Sequence, residues 1–188
     1  MNDRFRLWNK HVVIPDLIYK FNSKNIHTVV ELKDIVLKST VNTTITDSKD
    51  ILFGLVALEL LSNQRAKILR TRKSIAAFKT RKFMPISSKV TLRNKNLYNF
   101  LDFFVSMVLP RMSNIKELTR SSVVKSKTSV NIGLSNLTTF LQLGKESEQL
   151  PKDVGITVTL NSNQAHLDSE LLLLLSQYQI PIILNKEH

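Results

Sequence analysis

The side chains in this sequence that could do chemistry are cations and aromatic rings, and they crowd into one segment. From Leu60 to Leu101 there is no Asp or Glu, yet eleven basic residues occur: Arg65, Lys67, Arg70, Arg72, Lys73, Lys79, Arg81, Lys82, Lys89, Arg93 and Lys95. The other sixteen cations nearly cancel the fifteen acids, so almost the whole net charge of +12 belongs here. A solvated face usually mixes signs. A run of one sign suits a polyanion, whose phosphates it neutralises with release of counterions. Phe78 and Phe83 lie among Lys79, Arg81 and Lys82, where rings can stack on unpaired bases while the cations hold phosphates. Phe78 has a second reading, in which it packs inward and anchors the loop.

Catalysis has little to work with. His11, His27, His166 and His188 are scattered without metal-ligand spacing, and the four glycines are too far apart to build a phosphate loop. The serines show no nucleophile-elbow spacing, and the acids do not pair. Cysteine is absent, which removes disulfides, thiolate metal sites and a Cys nucleophile. The sequence therefore predicts a binding protein, not an enzyme, with no metal and no cofactor. No apolar run approaches the roughly 20 residues that span a bilayer, and the basic segment is strand-like, unlike an amphipathic membrane-surface helix. No membrane partner is expected. Asp3 and Asp16 in the first twenty residues argue against a signal peptide or presequence.

These side chains need a scaffold. A chain of 188 residues, 43% hydrophobic, can build a proper core. The expected organisation is a single domain over 1–188, with a helical arm at 1–27 and a protruding basic loop at 73–85. Apolar residues at helical spacing predict a helix over 4–21, with Pro15 placed to split it. Residues 28–41, rich in β-branched side chains, predict a strand. Residues 51–61 are apolar nearly all round, which predicts a deeply buried helix capped by Asp47 or Ser48. A short strand is expected at 66–72 and an irregular loop at 74–85.

Residues 86–93 alternate. Ile86, Ser88, Val90 and Leu92 share one face; Lys89, Thr91 and Arg93 share the other. Leu97 to Leu109 predict an amphipathic helix stopped by Pro110. Strands are expected at 130–134 and 155–160, and a last helix from Asp168 to about Tyr178. The fold class that follows is α+β: a largely antiparallel sheet, helices packed on one face, and the other face open, basic and suited to RNA.

The segment that begins RKSIAAFKTRKF and continues PISSKVTLR resembles the universal large-subunit ribosomal protein family uL-five in its bacterial and organellar form. Arg72, Lys73, Ser74, Ala76, Phe78, Lys79, Arg81, Pro85, Ile86, Lys89, Val90, Thr91, Leu92 and Arg93 carry the likeness, which continues through Leu109, Pro110 and Arg111 and covers nearly the whole chain. The resemblance implies a structural constituent of the large subunit that binds 5S and large-subunit ribosomal RNA in the central protuberance. By that analogy the RNA contacts are Lys38, Asn42, Arg65, Lys67, Arg70, Lys89 and Arg93. A loop carrying Lys73, Ser74, Phe78, Lys79, Arg81, Lys82 and Phe83 reaches toward tRNA in the peptidyl site. Arg111, Lys116 and Arg120 face a protein of the small-subunit head, and neighbouring large-subunit proteins complete the set of partners.

The sequence departs from the family where Ala77, Phe83 and Ser87 replace glycines. Losing access to positive φ predicts a changed backbone there. A free-standing RNA-binding or RNA-processing protein on the same fold is the alternative. Lys outnumbers Arg 18 to 9 and Gly is scarce. This suggests an AT-rich genome, and hence a mitochondrial ribosome with an organelle-encoded protein; a bacterial cytoplasm or a plastid is the alternative.

Overall fold

Alternating and periodic stretches become strands and helices close to where the residues dictate. A computed structural model describes residues 4–41, 50–112, 123–125, 128–134, 140–143, 154–163 and 168–181. The strands are β1 (Leu32–Val41), β2 (Lys67–Arg70), β3 (Pro85–Leu92), β4 (Val123–Lys125), β5 (Ser129–Leu134) and β6 (Val154–Ser162). They form one six-stranded sheet in the order β2-β3-β1-β6-β5-β4. The β2–β3 and β4–β5 pairs are antiparallel. With helices α1 (residues 4–21), α2 (Asp50–Ser62), α3 (residues 94–111) and α4 (Asp168–Gln177), the chain is an α+β protein.

The chain divides into two compact units: Met1–Ile35, Leu92–Ile132 and Thr159–His188 form the first, and Val36–Thr91 with Gly133–Val158 form the second. In the first unit, Phe5, Val13 and Leu17 of α1, Leu97, Leu101, Phe104 and Val108 of α3, and Leu171, Leu174 and Leu175 of α4 are buried. Neither Pro15 nor Pro110 breaks its helix. Each follows a π turn, at Asn9–Val13 before Pro15 and at Phe104–Val108 before Pro110. A proline ring collides with the carbonyl four residues back. The turn widens instead, so that the Ile14 amide donates to the Asn9 carbonyl and the Leu109 amide to the Phe104 carbonyl. Helix α1 is thus not split, and α3 runs on to Arg111 where the sequence predicts a stop at Pro110.

In the second unit, α2 lies very close to the strands. A Cβ placed on Gly54 would come within 2.8 Å of the Ser39 hydroxyl oxygen. That hydroxyl donates to the Gly155 carbonyl at 3.1 Å. Helix propensity favours Gly54→Ala by about 1 kcal/mol, but overpacking against a strand residue costs about 1–3 kcal/mol. We expect the clash to win and Gly54→Ala to lower stability in denaturant unfolding. Shrinking the neighbour as well, in Gly54→Ala with Ser39→Gly, should restore part of the loss.

Helix α2 is not buried all round. Ile51, Ala57, Leu58 and Leu61 are in the core, while Leu52, Phe53, Val56 and Leu60 form an exposed stripe. A uniformly apolar helix shows no moment, so its sequence does not reveal which side the sheet covers.

Candidate nucleic-acid interface

The basic positions of the second unit gather on the β2–β3 ladder and the hairpin beyond it. From Ser88 to Leu92 alternation on β3 runs as the sequence predicts, with Ser88, Val90 and Leu92 buried and Lys89 and Thr91 half-buried; at the start of the strand it does not, since Ser87 is buried and Ile86 only half-buried. The register sets Lys67 opposite Lys89 and Ile68 opposite Ser88. Side chains alternate across a strand, so Lys67 and Lys89 share the face away from the core. Lys38 and Thr40 are exposed on β1, the strand next to β3 in the sheet.

Like charges directly opposite one another weaken a ladder. An anion bound between Lys67 and Lys89 would remove that cost. The ladder shifts register between Leu69 and Arg70, where Arg70 faces Pro85. The bulge accommodates a residue that has no amide hydrogen to give.

Arg65, Lys67, Arg70, Arg72, Lys73, Lys79, Arg81, Lys82, Arg93 and Lys95 are all exposed. Among the described residues the ion pairs are Arg4 with Asp102 and Lys20 with Asp16, so no described carboxylate neutralises these cations. The nearest acid in sequence, Glu59, accepts a hydrogen bond from the Ala66 amide at 2.9 Å and so fixes the turn between α2 and β2. Arg93 lies just past β3 and belongs to the first unit. Arg111 is exposed at the end of α3. Asn42, Lys116 and Arg120 lie outside the described residues.

The stretch expected to be an irregular loop is an ordered hairpin. Thr71 clamps its base. The Thr71 amide donates to the Met84 carbonyl at 2.9 Å, and the Thr71 carbonyl accepts from the Phe83 amide at 3.1 Å. The Thr71 hydroxyl accepts from the Met84 amide at 3.0 Å and donates to the Arg81 carbonyl. Farther out, Ile75 and Thr80 exchange two backbone hydrogen bonds of 3.1 and 3.2 Å. A single 3-10 turn, Ala76–Phe78, closes the tip. Sequence reasoning did not single out Thr71; its only signal is a hydroxyl at a strand end, which is weak.

Both rings of the hairpin point outward. Phe78 is 66% exposed and Phe83 is 65% exposed, so Phe78 is not an inward anchor. The Lys82 ammonium lies 5.2 Å from the centre of the Phe83 ring, within cation–π range. Phe83 also corrects an expectation about the backbone. Its φ is 67°, in the left-handed region, so the conformation glycine favours is kept without glycine. That costs about 1–2 kcal/mol for a residue with a Cβ. Ala77 and Ser87 are not among the positive-φ residues.

The model for the C-terminus of the ribosomal L5 protein family matches residues 85–182. The chain is 32% identical to the large ribosomal subunit protein uL5m of Reclinomonas americana, over 96% of this chain and 98% of that one. It is 32% identical to uL5 of Buchnera aphidicola subsp. Cinara cedri over 90% and 94% of the two chains. It is 29% identical to uL5c of Oedogonium cardiacum over 96% and 98%. The chain belongs to the uL5 family. As a uL5 protein it is a structural constituent of the large ribosomal subunit, and that family is structural, not catalytic. Ribosomal RNA and other ribosomal proteins are the partners that follow from membership. Among the described residues no cluster of His, Asp and Glu could hold a metal ion, and no helix is long and apolar enough to cross a membrane.

Proposed function

We propose that this uL5 protein binds 5S ribosomal RNA and adjacent large-subunit RNA through Lys38, Arg65, Lys67, Arg70, Lys89 and Arg93, with Asn42 in the same set. The single observation that carries this reading is the Lys67–Lys89 pair, two like charges held opposite each other on a ladder with no carboxylate partner among the described residues. The hairpin, with Lys73, Ser74, Phe78, Lys79, Arg81, Lys82 and Phe83, contacts tRNA in the peptidyl site; its ordered base and exposed rings support that role. Arg111, with Lys116 and Arg120, faces a protein of the small-subunit head.

The ribosome in question is mitochondrial. The lysine-rich, glycine-poor composition supports this, as does the similarity to a relative named uL5m, although relatives named uL5 and uL5c are similar in identity.

Sedimentation tests the assembly role. Tagged chain should travel with large subunits through a sucrose gradient at moderate salt. A chain that stays near the top would contradict the role and favour a free-standing RNA-binding protein.

A further inference from the structure

We infer that Phe83 is a base-stacking residue, which gives the hairpin a preference for RNA with exposed bases over duplex RNA. The inference rests on the hairpin contacting RNA; which RNA it contacts is a separate matter. Two independent observations converge on this ring. The first is conformational. Phe83 holds a φ of 67°, a region that glycine enters freely and a bulky side chain does not. A residue kept in such a conformation is held there by its surroundings. Here the amides of Phe83 and Met84 are both tied to Thr71.

The second observation is exposure. The ring does not repay the strain by burial, since it is 65% exposed. It packs no core, yet the clamp beneath it holds the backbone from which it projects. An exposed aromatic face on a held backbone has less freedom to lose when a base stacks on it, and stacking tolerates any base because every base has a π face. Lys82 at 5.2 Å from the ring centre adds a cation at the same spot. It can reach a backbone phosphate while the ring takes the base. Duplex RNA hides its base faces and offers only phosphates and riboses, so the ring adds nothing there.

Two substitutions separate the ring from its backbone. Phe83→Gly removes the ring and relieves the strain. Phe83→Ala removes the ring and keeps the strain. The full-length chain is titrated with a single-stranded RNA oligonucleotide and with the duplex of the same sequence. Wild-type protein should prefer the single strand. Both variants should lose affinity for it by roughly tenfold or more, with duplex affinity unchanged, and Phe83→Trp should retain the preference. Phe83→Gly should melt higher than Phe83→Ala.

Unchanged single-strand affinity in both variants overturns the inference, as a ring used against a protein would produce. Loss in Phe83→Ala alone also overturns it, because the effect would then come from the backbone. If the wild-type chain binds neither RNA, the RNA-binding reading itself fails and the inference fails with it. If Lys82→Ala weakens both complexes while the Phe83 variants do not, only the inference fails.

Discussion

Reversing both lysines of the β2–β3 ladder, in Lys67→Glu with Lys89→Glu, lowers affinity for ribosomal RNA by about two orders of magnitude or more. Hydrogen bonds to charged groups contribute about 1.5–3 kcal/mol each, and about 1.4 kcal/mol is a tenfold change in binding. Removing two such bonds and placing two carboxylates against phosphates reaches that range. The salt dependence should flatten as well, by about one unit of slope for each phosphate that is no longer neutralised.

Stability and binding should part company in this series. The double reversal leaves like charges facing each other across the same ladder positions, so the fold should be little changed. Lys67→Glu alone sets opposite charges across the ladder. It should raise stability by several tenths of a kcal/mol while weakening RNA binding. Denaturant unfolding and RNA titration on the same preparations check both parts. A fall in stability that parallels the fall in affinity would show that the lysines hold the sheet and do not serve the RNA.

The largest effect on stability is expected at a buried polar cluster of the first unit. Asn9 is 6% exposed and sits between two tyrosines. Its amide nitrogen donates to the Tyr98 hydroxyl at 3.0 Å, and its amide oxygen accepts from the Tyr178 hydroxyl at 2.7 Å. Tyr178 is fully buried and stacks on Phe5, with ring centres 6.0 Å apart. The arrangement ties α1, α3 and the residue after α4 together within the first unit. Asn9→Leu keeps the volume but removes the amide that bridges the two hydroxyls, which are then left only with each other. One hydrogen-bonding group is left without a partner, which costs about 1–3 kcal/mol, measured by denaturant unfolding.

The same cluster gives the fold an alkaline limit. Burial pushes the Tyr178 hydroxyl well above the ordinary tyrosine range, with the neighbouring Tyr98 adding to the effect. Burial also raises Tyr98, helped by the Glu31 carboxylate. In the unfolded chain tyrosine ionises near pH ~10. Above that pH the unfolded state releases protons that the folded state retains. Stability is therefore fully present below pH ~10 and falls as pH rises beyond it. Tyr178→Phe removes one of the two groups, so its stability should fall less steeply over the same range. An unchanged slope would show that Tyr178 titrates normally in the fold.

Much of this was legible in the sequence, and what was not has identifiable physical causes. The face assignment on β3 was readable from Ser88 to Leu92, where period-two alternation and burial are the same fact, but not at Ile86 and Ser87, next to the bulge at Arg70 and Pro85. The basic segment was readable because charge needs no fold to be counted. The exposed stripe of α2, Leu52 with Phe53, Val56 and Leu60, was not. An all-apolar helix signals burial, and the sheet covers only one of its sides. The π turns before Pro15 and Pro110 were hidden because a proline announces a collision without saying whether the helix stops or widens.

The hairpin was half legible. Its cations and rings were found, but its order depends on Thr71, whose bonds to Arg81, Phe83 and Met84 span ten or more residues. The left-handed backbone at Phe83 could not be read from a residue type that normally avoids it.

The most direct test of the central claim is a titration of the purified full-length chain with 5S RNA from the same ribosome. It runs against a control RNA of matched size, at two salt concentrations. The predicted result is selective binding to 5S RNA that weakens steeply as salt is raised. Equal binding to both RNAs would contradict the 5S assignment and leave the chain a uL5-family protein whose RNA partner has to be sought elsewhere in the large subunit.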